Sequence, residues 1–156
     1  MRRSEKQIRD RATVEEMLRR APVCRIGLNS AAGYPYVVPV HFVYAEGSIY
    51  LHSAHNGRKI EMMRQNPRVC VEIDELLGLK RAERACDFGS RFRSLIAFGR
   101  ARTVEDKAAK SRALGLLMEK YAGKKHSRRG FDFSPQELEG VSIIEIRIEE
   151  MTGKEG

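Results

Sequence analysis

The chain has 156 residues with 29 Lys or Arg against 21 Asp or Glu, a formal charge of +8. The length suits one domain spanning 1–156, and 42% hydrophobic with 32% charged residues suits a packed core and excludes a disordered chain. Three cysteines with no C-x-x-C pair exclude a disulfide scaffold and a zinc ribbon and suit a reducing cytoplasm, while no apolar run approaches the roughly 18 residues of a membrane span.

Residues 1–11 alternate charges without an apolar period and read as a loose leader. Thr13-Val14-Glu15-Glu16 has the spacing of a capping box, so a helix should start there and end before Pro22. The period then changes. Segments 23–28, 36–44 and 48–53 are rich in Val, Ile, Tyr and Phe and read as strands, separated by turn signals around Gly33 and Gly47. A short helix over 56–66, with Ile60 and Met63 on one side, should stop at Asn66-Pro67, and 68–74 returns as a strand.

Segment 76–90 shows no clear period and reads as a loop. Strand character resumes over 91–104, where Gly99 marks a bend or bulge. Residues 105–122 put Ala109, Leu114, Leu117, Met118 and Tyr121 on one helical face, with Gly123 as the stop. A last strand covers 141–148. About six strands joined mainly by hairpins, without regular β-α-β alternation, predict a mainly β protein with helices (α+β), closed as a small antiparallel barrel. Cys24 and Cys70 fall inside apolar strands as core residues, and Cys86 falls in the loop.

The Rossmann fingerprint, the P-loop and the G-x-S-x-G elbow are all missing from the sequence. The most informative segment is Tyr50-Leu51-His52-Ser53-Ala54-His55-Asn56-Gly57-Arg58-Lys59. A strand ends in a hydroxyl residue, a polar turn with Gly follows, and a helix opens on two cations. Cations at a helix start oppose its macrodipole unless an anion is supplied, and free N–H groups there bind phosphate. Composition equally allows a solvated turn with two surface cations.

That segment, with Val38-Pro39-Val40-His41-Phe42-Val43-Tyr44, Asn66-Pro67-Arg68-Val69-Cys70, Phe92 through Ala101 and Met151-Thr152-Gly153-Lys154, resembles the FMN-binding split barrels of the pyridoxamine 5′-phosphate oxidase-like superfamily, nearest the nitroimidazole-resistance-type flavoproteins. The resemblance implies a six-stranded antiparallel split β-barrel with flanking helices. It also implies FMN as cofactor, with F420 or haem as alternatives. Arg58 and Lys59 would hold the phosphate beside His52 and Ser53. Pro39, Val40, His41 and Phe42 would lie against the isoalloxazine ring, and Ser94 would be a polar group near it. The oxidases themselves carry Gln at that last position and a C-terminal substrate segment not seen here. A homodimer with FMN at its interface is implied, serving a small-molecule electron donor and acceptor, for example a nicotinamide and a nitro or quinone compound. A non-enzymatic flavin or haem module is the alternative, and no catalytic acid or base is identified.

His52-x-x-His55 with nearby His41 lacks a third ligand by spacing, so no metal site is predicted. The basic run from Lys124 to Arg129 has no interleaved aromatics and no accompanying nucleic-acid motif, so a solvated loop is expected rather than a nucleic-acid surface.

Overall fold

The computed structural model describes residues 4–29, 33–122 and 131–156. The turn residues Ala31 and Ala32, the stop at Gly123 and the basic run 124–129 lie outside the described residues.

Burial alternates with period two along β2 (Cys24–Leu28), where Cys24, Ile26 and Leu28 are buried and Arg25 is exposed. The same alternation recurs in β3 (Tyr36–Val40) and β5 (Ser48–Ser53), as expected of strands with one face on a core. Between them lies β4 (Val43–Ala45). The single strand expected over 36–44 is thus divided at His41-Phe42. Longer strands follow: β6 (Arg68–Lys80), β7 (Gly89–Thr103) and β8 (Ser142–Glu155). A two-residue β1 (Gln7–Ile8) pairs with β8, Gln7 opposite Lys154, so the expected loose leader is tied to the sheet from that point.

All pairings are antiparallel and the order is β3-β2-β6-β7-β8-β5-β4. The two outermost strands of that order, β3 and β4, are separated in the chain by only His41 and Phe42. The sheet must therefore curl until its ends meet, which makes it a barrel split at the β3–β4 seam. Phe42, Ile26, Ile49, Leu51, Val71, Leu95 and Ile146 fill the interior, each fully buried. The expected class, an antiparallel split barrel with flanking helices, holds, with two short strands added to the six.

Helix α1 (Arg11–Arg20) buries Val14 and Leu18. Its cap is Asp10 and not Thr13: the Asp10 carboxylate accepts from the amides of Ala12 and Thr13 at 3.2 and 3.0 Å and from the Thr13 hydroxyl at 2.6 Å. The expected capping box starts three residues late, because a carboxylate upstream already satisfies those amides. Helix α2 (Arg58–Gln65) buries Ile60, Met62 and Met63. Helix α3 (Lys107–Tyr121) lies over β4 and β5, burying Ala113 and Leu117, while Ala109 and Met118 of the expected face stay exposed. A short α4 (Pro135–Glu139) starts on a full Ser134–Glu137 capping box.

The expected loop over 76–90 is strand at both ends, over 76–80 and 89–90, and non-strand only from 81 to 88. β6 and β7 continue as a two-stranded ribbon beyond the barrel, with a bulge between Leu76 and Gly78. The bulge hides the two-residue period in the sequence. At Gly99 the expected irregularity is present: the β7–β8 register shifts there, and a Cβ would sit 2.3 Å from the Arg147 carbonyl oxygen. No helix among the described residues is long and apolar enough to cross a membrane.

Candidate functional site

The turn from β5 into α2 brings the predicted anion-binding residues together. β5 delivers Ser53, buried and backbone-paired with Ser142 of β8, and beside it the exposed His52. Gly57 then takes φ 130° and ψ 162°, a conformation that L side chains rarely adopt, and α2 opens at Arg58. Its N-cap is Gly57 itself, which has no side chain to cap the helix. Gly57 O accepts the amides of Ile60 and Glu61 at 2.9 and 3.0 Å, so the amides earlier in the turn remain for another acceptor. Arg58 is exposed and Lys59 half-buried. The Arg58 guanidinium lies 4.7 Å from the ring centroid of Tyr36, the first residue of β3, which ties the helix start to the strand predicted to run beside the ring.

His55 anchors the same turn. Its Nε2 lies 2.7 Å from Glu139 O, which can only accept, so Nε2 carries the proton and Nδ1, 2.9 Å from the Ser142 hydroxyl, accepts. Arg64 donates to the His55 carbonyl at 3.3 Å. With both ring nitrogens engaged, His55 is a structural clamp between α4 and β8. Among the described residues no three His, Cys, Asp or Glu side chains are grouped to hold a metal ion.

Along β3 the predicted ring-lining residues diverge. Pro39 is exposed on the outer face and His41 is exposed just past the strand, Val40 is half-buried and points inward, and Phe42 is wholly buried in the core. The Phe42 amide donates to the Tyr121 hydroxyl at 2.9 Å, and that hydroxyl has its own proton for the carbonyls of Pro22 and Phe42, at 2.8 and 2.9 Å. The His41 ring packs on Tyr121 with centroids 4.8 Å apart. Lys120, the preceding residue, places its buried Nζ 3.9 Å from the Phe42 ring centroid, where it has no hydrogen-bond partner among the described residues. Desolvation lowers its pKa to about 8, and burial raises the nearby Cys24 thiol to about 12. Sequence reading put Tyr121 on a helix face and missed Lys120 and Tyr36. No local pattern links residues 79 positions apart.

Ser94 is not close to the Arg58 turn. It sits half-buried on β7 opposite Asp74 and Lys154, three strands from β3, or about 14 Å along the sheet at ~4.8 Å per strand. On the outer face between them, Val37, Gly27, Cys70 and Phe98 fall in one apolar cross-strand row with Val37 and Phe98 exposed, and the next row carries Arg25 paired with Glu72 and Asp74 at 3.1 and 2.6 Å.

The sequence matches the family model for pyridoxamine 5′-phosphate oxidase over residues 10–155, whereas no curated protein matches. Among solved structures, a candidate 5-nitroimidazole antibiotic resistance protein from Bacteroides thetaiotaomicron shares 32% identity. The match covers 95% of this chain and 85% of that one, with a TM-score of 0.80. A flavocytochrome from Azotobacter vinelandii is 25% identical over all of this chain and 72% of its own, at TM-score 0.86. A FAD-binding protein from Mesorhizobium loti is 26% identical over 97% of both chains, at TM-score 0.68.

Proposed function

The chain belongs to the pyridoxamine 5′-phosphate oxidase family, and from that membership we propose that it is a flavoprotein holding FMN by its phosphate at Arg58 and Lys59. The observation that carries this reading is the start of α2: an uncapped helix end opened by Gly57, two cations on it, and Arg58 steadied on Tyr36. Such a group of free amides and positive charge fits a phosphate, with Arg58 forking onto two oxygens and Lys59 adding a point charge. The names of two similar structures, a flavocytochrome and a FAD-binding protein, agree with a flavin ligand.

Bound flavin supplies electron and hydride transfer, which ordinary side chains lack. The chain's own part is to bind and orient. Tyr36 and Arg58 fix the phosphate end, and the exposed Pro39 and His41 mark the direction of the ring along β3. Ser94 is too far along the sheet to join this site within one copy, and it contributes from the second copy of a two-fold homodimer with FMN at the interface. The activity we assign is an oxidoreductase that takes electrons from a reduced nicotinamide and passes them to a small nitro or quinone acceptor in the cytoplasm. Similarity to the candidate nitroimidazole-resistance protein supports that acceptor class.

Titration with FMN tests the anchor. Arg58→Ala and Lys59→Ala should each weaken binding by about 1.5 to 3 kcal/mol, the range for hydrogen bonds to charged groups, without unfolding the protein, since neither side chain is part of the core. Unchanged affinity in both variants would refute the assignment.

A further inference from the structure

The sheet holds the stretch assigned to the flavin ring only weakly. The last ladder pair of β3 is Val40 with Cys24, and β4 resumes pairing at Val43 with Tyr50, so His41 and Phe42 have no strand partner among the described residues. Pro39, just before that last pair, brings no N–H to the ladder. Phe42 is nonetheless fully buried, and buried backbone groups must find partners.

Those of Phe42 find one on the last residue of α3. The Tyr121 hydroxyl accepts the Phe42 amide at 2.9 Å and lies 2.9 Å from the Phe42 carbonyl oxygen and 2.8 Å from that of Pro22. A hydroxyl has one proton and two acceptor sites, so it takes the amide while its proton serves the two carbonyls. One oxygen thus ties three segments that no strand pairing joins: the end of α3, the split between β3 and β4, and the residues leading into β2. The Tyr121 ring also carries the His41 ring, centroids 4.8 Å apart, and the preceding Lys120 faces the Phe42 ring. One and two turns back, Leu117 and Ala113 are buried in a cluster with Val104 and Ile143, which gives α3 a fixed seat from which to hold the split.

We infer that Tyr121 is a positioning residue for the flavin ring, a role that rests on the flavin reading above: its hydroxyl sets the backbone at Phe42, and its ring sets His41. It acts through those two residues, because α3 packs on β4 and β5 and not on the outer face of β3. Arg58, near Tyr36, stands at the opposite end of β3. The two ends of the ligand are therefore under separate control. Loss of the hydroxyl weakens binding of any flavin, with or without a phosphate, whereas loss of the Arg58 guanidinium weakens only a flavin that bears one.

Tyr121→Phe removes the hydroxyl and keeps the ring beside His41, and at 38% exposed Tyr121 is not a core residue whose change would unfold the chain. FMN and riboflavin, which share the ring and differ in the phosphate, are each titrated into the parent, Tyr121→Phe and Arg58→Ala. Tyr121→Phe should weaken both ligands by the same factor, about tenfold for one hydrogen bond of ordinary strength, and should move the absorbance of bound flavin toward that of free flavin. Arg58→Ala should weaken FMN and leave riboflavin as in the parent. Hydrogen exchange at the Phe42 amide should quicken by about tenfold in Tyr121→Phe, while amides of β5 and β8 keep parental rates and report a folded barrel. If Tyr121→Phe binds both flavins with parental affinity and spectrum, the inference is overturned even where exchange quickens, since the hydroxyl then braces the fold alone. A parent that binds neither flavin overturns the flavin reading itself, and this role with it.

Discussion

Lys120 is the residue whose chemistry fits its surroundings least. Among the described residues its amine is buried without a hydrogen-bond partner and faces the rings of Phe42 and Tyr121, at 3.9 and 5.6 Å from their centroids. Desolvation brings its pKa down from the usual 10.5 to about 8. The native state therefore disfavours the charged amine. That penalty is fully present below pH 8 and is relieved as the pH rises toward 10.5, where the unfolded chain holds a proton that the native one has released. The side chain is only half-buried and the cation–π contact offsets part of the cost, so the effect is on the order of 1 kcal/mol. Lys120→Met removes the titration. Urea unfolding from pH 7 to 10 should show the parent protein gaining stability relative to this variant as pH passes 8; parallel curves would mean that the amine is solvated. Its neighbour Tyr121 shows why such residues escape a sequence reading. The hydroxyl acts on the backbone of Phe42 and Pro22, and nothing in a helical period announces a partner in a distant strand turn.

Among the elements, those whose signal is local were legible. The β5-turn-α2 segment announces itself by a hydroxyl, a glycine and two cations in sequence, and Gly99 by interrupting an apolar strand. The β6–β7 ribbon did not, because the bulged Leu77 breaks the alternation on which a strand is recognised, and the α1 cap was missed because Asp10 lies among charges with no period. Site residues divide the same way: the Ser53 to Lys59 turn is contiguous, whereas the separation of Ser94 from β3 depends on strand order. Gly99 allows a direct test of what holds β7 against β8. A Cβ at this position would lie 2.3 Å from Arg147 O and 3.1 Å from a methyl of Ile146. The first of these is backbone, and backbone cannot swing aside. Gly99→Ala should cost about 1 to 3 kcal/mol, in the range of overpacked cores, and should lower Tm. Gly115→Ala, in α3 with nothing near its Cβ, should instead be neutral or mildly stabilising.

On the scale of the whole molecule, the outer face decides whether a bound flavin can exchange electrons. The strand that would run beside the ring presents Val37 and Pro39 outward, and the row continuing across Cys70 to Phe98 is apolar and partly exposed. The Val37 row carries no charged side chain, whereas the row through Pro39 continues into Arg25 and Glu72, which pair with each other at 3.1 Å. Under the proposed function, a reduced nicotinamide would have to reach the flavin over this face, even with a second copy covering part of it, and the acceptor would leave by the same route. An oxidoreductase and a storage module differ at this step alone, since both would bind FMN through Arg58 and Lys59. Under anaerobic conditions NADH or NADPH should bleach the oxidised-flavin absorbance of the loaded protein within a stopped-flow trace, and a quinone or nitro compound should restore it. Arg58→Ala should act on loading alone: once enough FMN is added to saturate it, its bleaching rate should match the parent's, because in the proposed site Arg58 would touch the phosphate and not the ring. If neither nicotinamide reduces the flavin, and the chemically reduced protein passes electrons to no acceptor, the chain is a flavin-binding module, with the fold and the phosphate anchor unchanged.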